Sequence, residues 1–157
     1  GCHPFGLALA ANKRGFKSEV MVNTTEPLFL DGVRNENKKV VLATVHQQFV
    51  DGIAQANIPL MHKDVELEHI EQWLSQGFSV LLLISTYSFD GKKSPHWVCV
   101  THLDEHCVYV HDPFCEPGSD KQFAIDCQYV PIARSDFSKM SAFGSQRLRT
   151  AVAIANN

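Results

Sequence analysis

Ser94-Pro95-His96-Trp97-Val98-Cys99-Val100-Thr101, followed a few residues later by Cys107-Val108-Tyr109-Val110-His111-Asp112-Pro113, reads as two extended segments joined by a short polar turn. Runs of this composition, bounded by turn residues, are strands of a hairpin. A two-residue turn at Asp104-Glu105 sets His96 opposite Pro113 with Asp112 one step away, and a three-residue turn sets His96 directly opposite Asp112. Directly opposed side chains in an antiparallel pair have Cβ atoms roughly 4.5 to 5.5 Å apart, close enough for a carboxylate to orient an imidazole. That is the relation between the second and third members of a hydrolytic triad, which then lacks only a nucleophile.

The rest of the chain is read outward from this hairpin. Beyond Gly77 the hydrophobic period is that of extended chain: Ser79 to Tyr87 reads as a fully buried central strand, His96 to Leu103 and His106 to Asp112 as the hairpin, Lys121 to Cys127 as a strand, and Leu148 to Ala155 as the closing strand. Ser135-Asp136-Phe137 opens a short helix ending at Gly144. Before Gly77 the period is helical. Phe5 to Arg14 reads as a short buried helix, with Pro4 in its first turn and Gly15 as its terminator. Phe16 to Val22 alternates weakly, as an edge strand does, and the irregular stretch Asn23 to Pro27 follows it. Asn37 to Ala54 repeats Val41, Val45, Phe49 and Ile53 at four-residue steps, a helix with that face inward. Val65 to Gln76 is a third helix, capped by Asp64, with Leu67, Ile70, Trp73 and Leu74 inward. Helices first and an antiparallel sheet afterwards is the order of an α+β domain.

Composition limits what such a domain can do. A chain of 157 residues, 45% hydrophobic and 20% charged, is one ordinary globular domain with a single core. Its formal net charge of -3 offers no footprint for nucleic acid or an anionic membrane. The longest apolar run, Val80 to Ile84, is far too short to cross a bilayer, and no signal sequence opens the chain, so a cytoplasmic protein is expected. Five cysteines at irregular spacing, with no Cys-x-x-Cys pair, point to reduced thiols rather than a disulfide framework or zinc knuckle. The first residue is Gly1 rather than methionine, as after a tag, a cut or a truncation.

The phrase Ser-Pro-His-Trp-Val-Cys-Val-Thr at 94–101 and Val-Tyr-Val-His-Asp-Pro at 108–113 resemble the histidine and aspartate blocks of the papain-like bacteriocin-processing cysteine peptidases, whose type members cut after a double glycine. Gly1 to Ala11 with Arg14-Gly15-Phe16, Leu28 to Arg34, and Asp136 to Met140 look like a bacterial branch of that family, often linked to an acetyltransferase-type domain. The resemblance implies a papain-like fold, with N-terminal helices packed on a C-terminal antiparallel sheet. It also implies hydrolysis of peptide or amide bonds through a thioester, with His96 as base, Asp112 as its orienter, and a peptide or protein as substrate.

The family's nucleophile lies in a Cys-Gly-Pro-Ala type motif at the start of its first helix, preceded by a glutamine of the oxyanion hole. Cys2-His3-Pro4-Phe5 fits that motif superficially, but Gly6 to Ala11 with Arg14-Gly15-Phe16 fit better with the family's next helical segment. The expectation is therefore a single domain over residues 1–157 that lacks its first, nucleophile-bearing helix. Cys2 is the alternative nucleophile, because a helix amino terminus stabilises a thiolate. Two further classes compete: a catalytically inactive peptide-binding domain on the same fold, and a thiol-dependent amidase or acyltransferase, since fold does not fix substrate.

The remaining candidates are weaker. Trp97 is either core or a wall of the cleft, and the loop Phe89 to Ser94 is placed to touch substrate, with Ser94 nearest His96. Cys99 has the parity opposite to His96 and reads as core, as do Cys107 and Cys127, while Cys115 falls in a loop. His96 and His102 share a strand face but are roughly 20 Å apart along it, too far to share an ion, so no metal and no cofactor are expected. His46, His62 and His69 read as isolated surface residues.

Overall fold

A computed structural model describes residues 2–31, 33–87, 94–114 and 124–157. Among these residues four helices, α1 (Pro4–Asn12), α2 (Glu36–Gln55), α3 (Leu67–Ser75) and α4 (Arg134–Met140), pack on one seven-stranded sheet. Its strands are β1 (Phe16–Val22), β2 (Leu60–His62), β3 (Ser79–Ser85), β4 (Pro95–Leu103), β5 (Cys107–His111), β6 (Val130–Ala133) and β7 (Thr150–Asn156). They lie in the order β2-β1-β7-β3-β4-β5-β6, and every pair is antiparallel except β1 with β2. The molecule is α+β.

β3 is the middle strand, and its sequence shows why: Val80, Leu82 and Ile84 supply one face and Leu81 and Leu83 the other, so it is apolar on both sides. Strand alternation divides the interior into two clusters. One contains Val98 and Val100 of β4 and Val108 and Val110 of β5, closed over by Ile70 and Trp73 of α3 and Phe137 and Met140 of α4. The other joins Phe5 and Ala8 of α1, Ile53 of α2, Val20 and Val22 of β1, Leu83 and Val152. Arg149 ties α4 down, donating from Nη1 to Ser141 Oγ (2.6 Å) and from Nη2 to the Ser138 carbonyl (2.6 Å).

Several expectations need correction. β1 has the expected bounds but is no edge strand: it pairs along its whole length with β7 and is flanked on its other side by the parallel β2, whose three residues are too few for a periodic signal. The sheet therefore begins in the N-terminal half of the chain and is not wholly antiparallel. The segment expected as a strand at Lys121 to Cys127 lies outside the described residues up to 123, and Ala124–Cys127 is a 3-10 turn. The strand that pairs with β5 follows it, at Val130–Ala133. In α2 Val41 is 61% exposed and the buried positions are His46 and Ile53, because this helix packs chiefly on α1 rather than on a strand. The cap of α3 is Glu66, whose N–H donates to His69 Nδ1, rather than Asp64. No helix among the described residues is long and apolar enough to cross a membrane.

Candidate functional site

The β4–β5 hairpin is closed by Asp104. Its Oδ1 accepts from the N–H groups of His106 (2.8 Å) and Cys107 (2.7 Å), and its Oδ2 from the Tyr109 hydroxyl (2.7 Å). These bonds, the Tyr109 one first, lower the Asp104 carboxyl to about 2. A bulge between Val100 and His102 then shifts the pairing, so that Val100 faces Val110 and Cys99 faces His111. Neither of the two expected turn registers holds on either side of the bulge, since on its turn side His102 faces Tyr109 and Leu103 faces Val108. Continued along the strand, the observed register brings His96 and Asp112 together on a diagonal, a separation that a long side chain spans.

They do meet: His96 Nε2 lies 2.7 Å from Asp112 Oδ1. An ionised carboxylate only accepts, so Nε2 carries the hydrogen and the neutral ring presents Nδ1 as its acceptor. The pair is shielded, with side-chain exposures of 22% and 14%, and salt and water weaken its interaction less than at an open surface. Asp112 is held from its own backbone. Its Oδ1 also accepts from Phe114 N (2.9 Å) across Pro113, and its N–H donates to the carbonyl of Cys127 (2.8 Å) in the 3-10 turn. The turn role and the histidine contact are thus properties of one carboxylate.

Cys2 is an exposed thiol just ahead of α1. His3 is the helix N-cap, Pro4 occupies the first turn, and His3 Nδ1 accepts from Phe5 N (3.2 Å). With Nδ1 used as an acceptor, His3 Nε2 carries the hydrogen and donates to His46 Nδ1 at 3.1 Å. The chain Phe5 N–H to His3 to His46 leaves both rings neutral. Burial, then the neighbouring His46, lowers His3 to about 4, and burial lowers His46 as well. His46 is therefore not the surface residue expected; at 6% exposure it is core. Helical periodicity counted only apolar residues and passed over it. The available signal was His3, a ring acceptor at a cap position beside Cys2.

Trp97 joins the two halves of the site. Its indole Nε1 donates to the carbonyl of Cys2 at 3.0 Å, pinning the entry to α1 against the residue that follows His96. Alternation directs Trp97 to the α1 and α2 side of the sheet, whereas His96 shares the parity of Val98 on the α3 and α4 side. No hydrogen bond joins the Cys2 thiol to the His96 ring among the described residues. Cys2, Pro95 and Trp97 border a cavity of about 610 Å³ that runs back between α1 and α2. Ser94 is exposed ahead of β4, and residues 88–93 and Cys115 lie outside the described residues. Cys127 is buried, Cys99 and Cys107 are half-buried, and burial pushes the Cys99 thiol up.

Compared with known protein families, residues 1–155 match the family described as "Peptidase_C39 like family". No curated protein and no solved structure matches the chain.

Proposed function

The chain belongs to the Peptidase_C39 like family, and from that premise we propose that it hydrolyses peptide or amide bonds by acyl transfer, with His96 as base, Asp112 as orienter and a cysteine thiol as nucleophile, for which Cys2 is the candidate within these residues. The observation that carries this reading is the 2.7 Å contact of His96 Nε2 with Asp112, which fixes the ring so that Nδ1 is the nitrogen left for a thiol. Cys2 stands at the amino terminus of α1, where a helix end stabilises a thiolate, and its carbonyl is tied to Trp97, the residue next to His96 on β4.

In the reaction, His96 takes the thiol proton and the sulfur attacks the substrate carbonyl carbon. The imidazolium returns that proton to the leaving nitrogen as the C–N bond breaks, leaving a thioester. Water then attacks the thioester, its proton passes through His96 to the sulfur, and the acid product departs with the thiol regenerated. Such a thiol needs a reducing setting, and we place the activity in the cytoplasm. A second reading, a peptide-binding domain without catalysis, is favoured by one observation: the thiol and the ring share no hydrogen bond.

Peptide-bond cleavage by the full-length protein, followed by mass spectrometry, tests the proposal. Cys2→Ala and His96→Ala are expected to abolish turnover, and Asp112→Asn to lower it by about 10²- to 10⁴-fold. Full activity in Cys2→Ala would move the nucleophile outside these residues. An inert wild-type protein whose cysteines all react slowly and alike with iodoacetamide would leave the binding domain.

A further inference from the structure

We propose that Cys127 is a positioning residue for the His96–Asp112 pair: it grips the chain on both sides of Pro113 and so fixes where the Asp112 carboxylate stands. The inference rests on the peptidase reading, in which that carboxylate orients the base, and it holds whichever thiol serves as nucleophile. Asp112 Oδ1 accepts from both His96 Nε2 (2.7 Å) and Phe114 N (2.9 Å), so the position of Phe114 bears directly on that of the carboxylate. Residue 127 reaches both ends of this segment. Its carbonyl accepts the Asp112 N–H (2.8 Å), and its thiol donates to the Phe114 carbonyl (3.5 Å). Between them the Pro113 ring fixes its own φ and confines Asp112 to extended backbone. The span Asp112-Pro113-Phe114 is therefore tied at each end to a single residue, itself 4% exposed.

Such a grip positions the carboxylate only if the turn that carries Cys127 is itself fixed relative to β5. Three observations fix it. Gln128 N–H donates to the Ile125 carbonyl (3.1 Å), closing the 3-10 turn. Shortly after it, Val130 pairs with Val110 and Pro131 with Tyr109, which ties the far end of the turn to β5. Between the two, Tyr129 takes a φ of 52°, a left-handed conformation that is costly for a tyrosine, and lays its ring against His111, centroids 4.6 Å apart and planes at 89°. Strain of that kind persists where the surrounding structure over-determines it. Phe114 also stands beside the base, its ring centroid 6.4 Å from that of His96 with planes at 82°, so a shift of residue 114 is felt by both members of the pair. A side chain at 127 that merely filled space would not hold the Phe114 carbonyl.

The test uses the full-length protein with its histidine ring nitrogens isotope-labelled, the His96 tautomer being read by NMR and peptide cleavage by mass spectrometry. The wild-type ring is expected to carry its hydrogen on Nε2. Cys127→Ala, which removes the donor, should raise the Nδ1–H fraction by about 3- to 10-fold and lower kcat by a similar factor at unchanged KM. Cys127→Ser keeps a donor and should restore both. Cys127→Val, which fills the site without a donor, should match Cys127→Ala, and Ile125→Ala, at a 73% exposed position of the same turn, should match the wild type. A tautomer unmoved in Cys127→Ala and Cys127→Val, a Cys127→Ser that behaves as they do, or loss of the fold in all three would overturn the positioning role and leave the peptidase reading intact. The expected tautomer shifts in a protein that cleaves no peptide would remove the peptidase reading and leave Cys127 as the residue that sets the pair.

Discussion

The two faces of the sheet are built from the same alternating strands and are finished differently. Under α3 and α4, Val80, Leu82, Val100 and Val108 are at most 1% exposed and share a cluster with the buried Ile70, so the strand surface on that side is filled, and the cavity there, about 410 Å³, is bordered by helix and loop residues instead. Under α1 and α2 the strands contribute an equally apolar surface, yet α2 packs chiefly on α1, with Val40 66% and Val41 61% exposed and a cavity between the two helices. The filled face carries the imidazole and its carboxylate at its rim, on strands whose neighbouring side chains are buried, while the open face keeps a cavity. A single residue step along β4, from His96 to Trp97, passes from one regime to the other.

The contrast is most easily broken at the filled face. Leu82→Ala removes a side chain from the middle strand with no space to relax into, and is expected to cost about 2 to 5 kcal/mol, read from the shift in urea midpoint. An intermediate effect is expected at the open face from the buried histidines. His3 has its folded value depressed from 6.5 to about 4, so the unfolded chain takes up a proton that the folded one refuses. Its influence is absent above pH 6.5, and stability falls as the pH drops from 6.5 toward 4, below which the loss levels off. Urea midpoints measured across that window should fall less steeply in His3→Asn, which retains a capping acceptor without titrating there. If the two slopes coincide, the His3–His46 chain is not what couples this face to pH. The smallest effect is expected at Val41→Lys, within about 0.5 kcal/mol, because the side chain packs on nothing that the substitution removes. A larger loss in thermal unfolding would mean that the first half of α2 is covered in solution.

What could be read from the residues alone follows the distance over which each feature is decided. The hairpin and its His96–Asp112 pair are local, and both strands announce themselves by composition and by the short polar turn between them. The register was not readable, because it depends on Asp104 bridging the turn with its side chain and on the bulge at Val100 to His102. β3 was legible as central, since a strand apolar on both faces has nowhere else to go. The place of β1 was not, because weak alternation resembles an edge, and its neighbours are the remote β7 and a three-residue strand. His46 was misread for a similar reason: its partner His3 is 43 residues away, and nothing in the helical repeat of α2 signals a polar contact there. Val41 failed for the opposite cause, a good apolar repeat continuing beyond the surface that would bury it.

The position of β7 carries a consequence for how the molecule comes into being. This strand, the last of the seven to leave the ribosome, lies between β1 and β3, and it supplies Val152, Ala151 and Ala153 to both clusters. Until it emerges, β1 and β3 each present an unpaired row of backbone groups, and the two halves of the sheet have no strand in common. Folding must therefore wait for translation to finish with this segment, and the nascent chain passes through a stage with two sticky edges facing one gap, the stage at which chaperones would have most to protect.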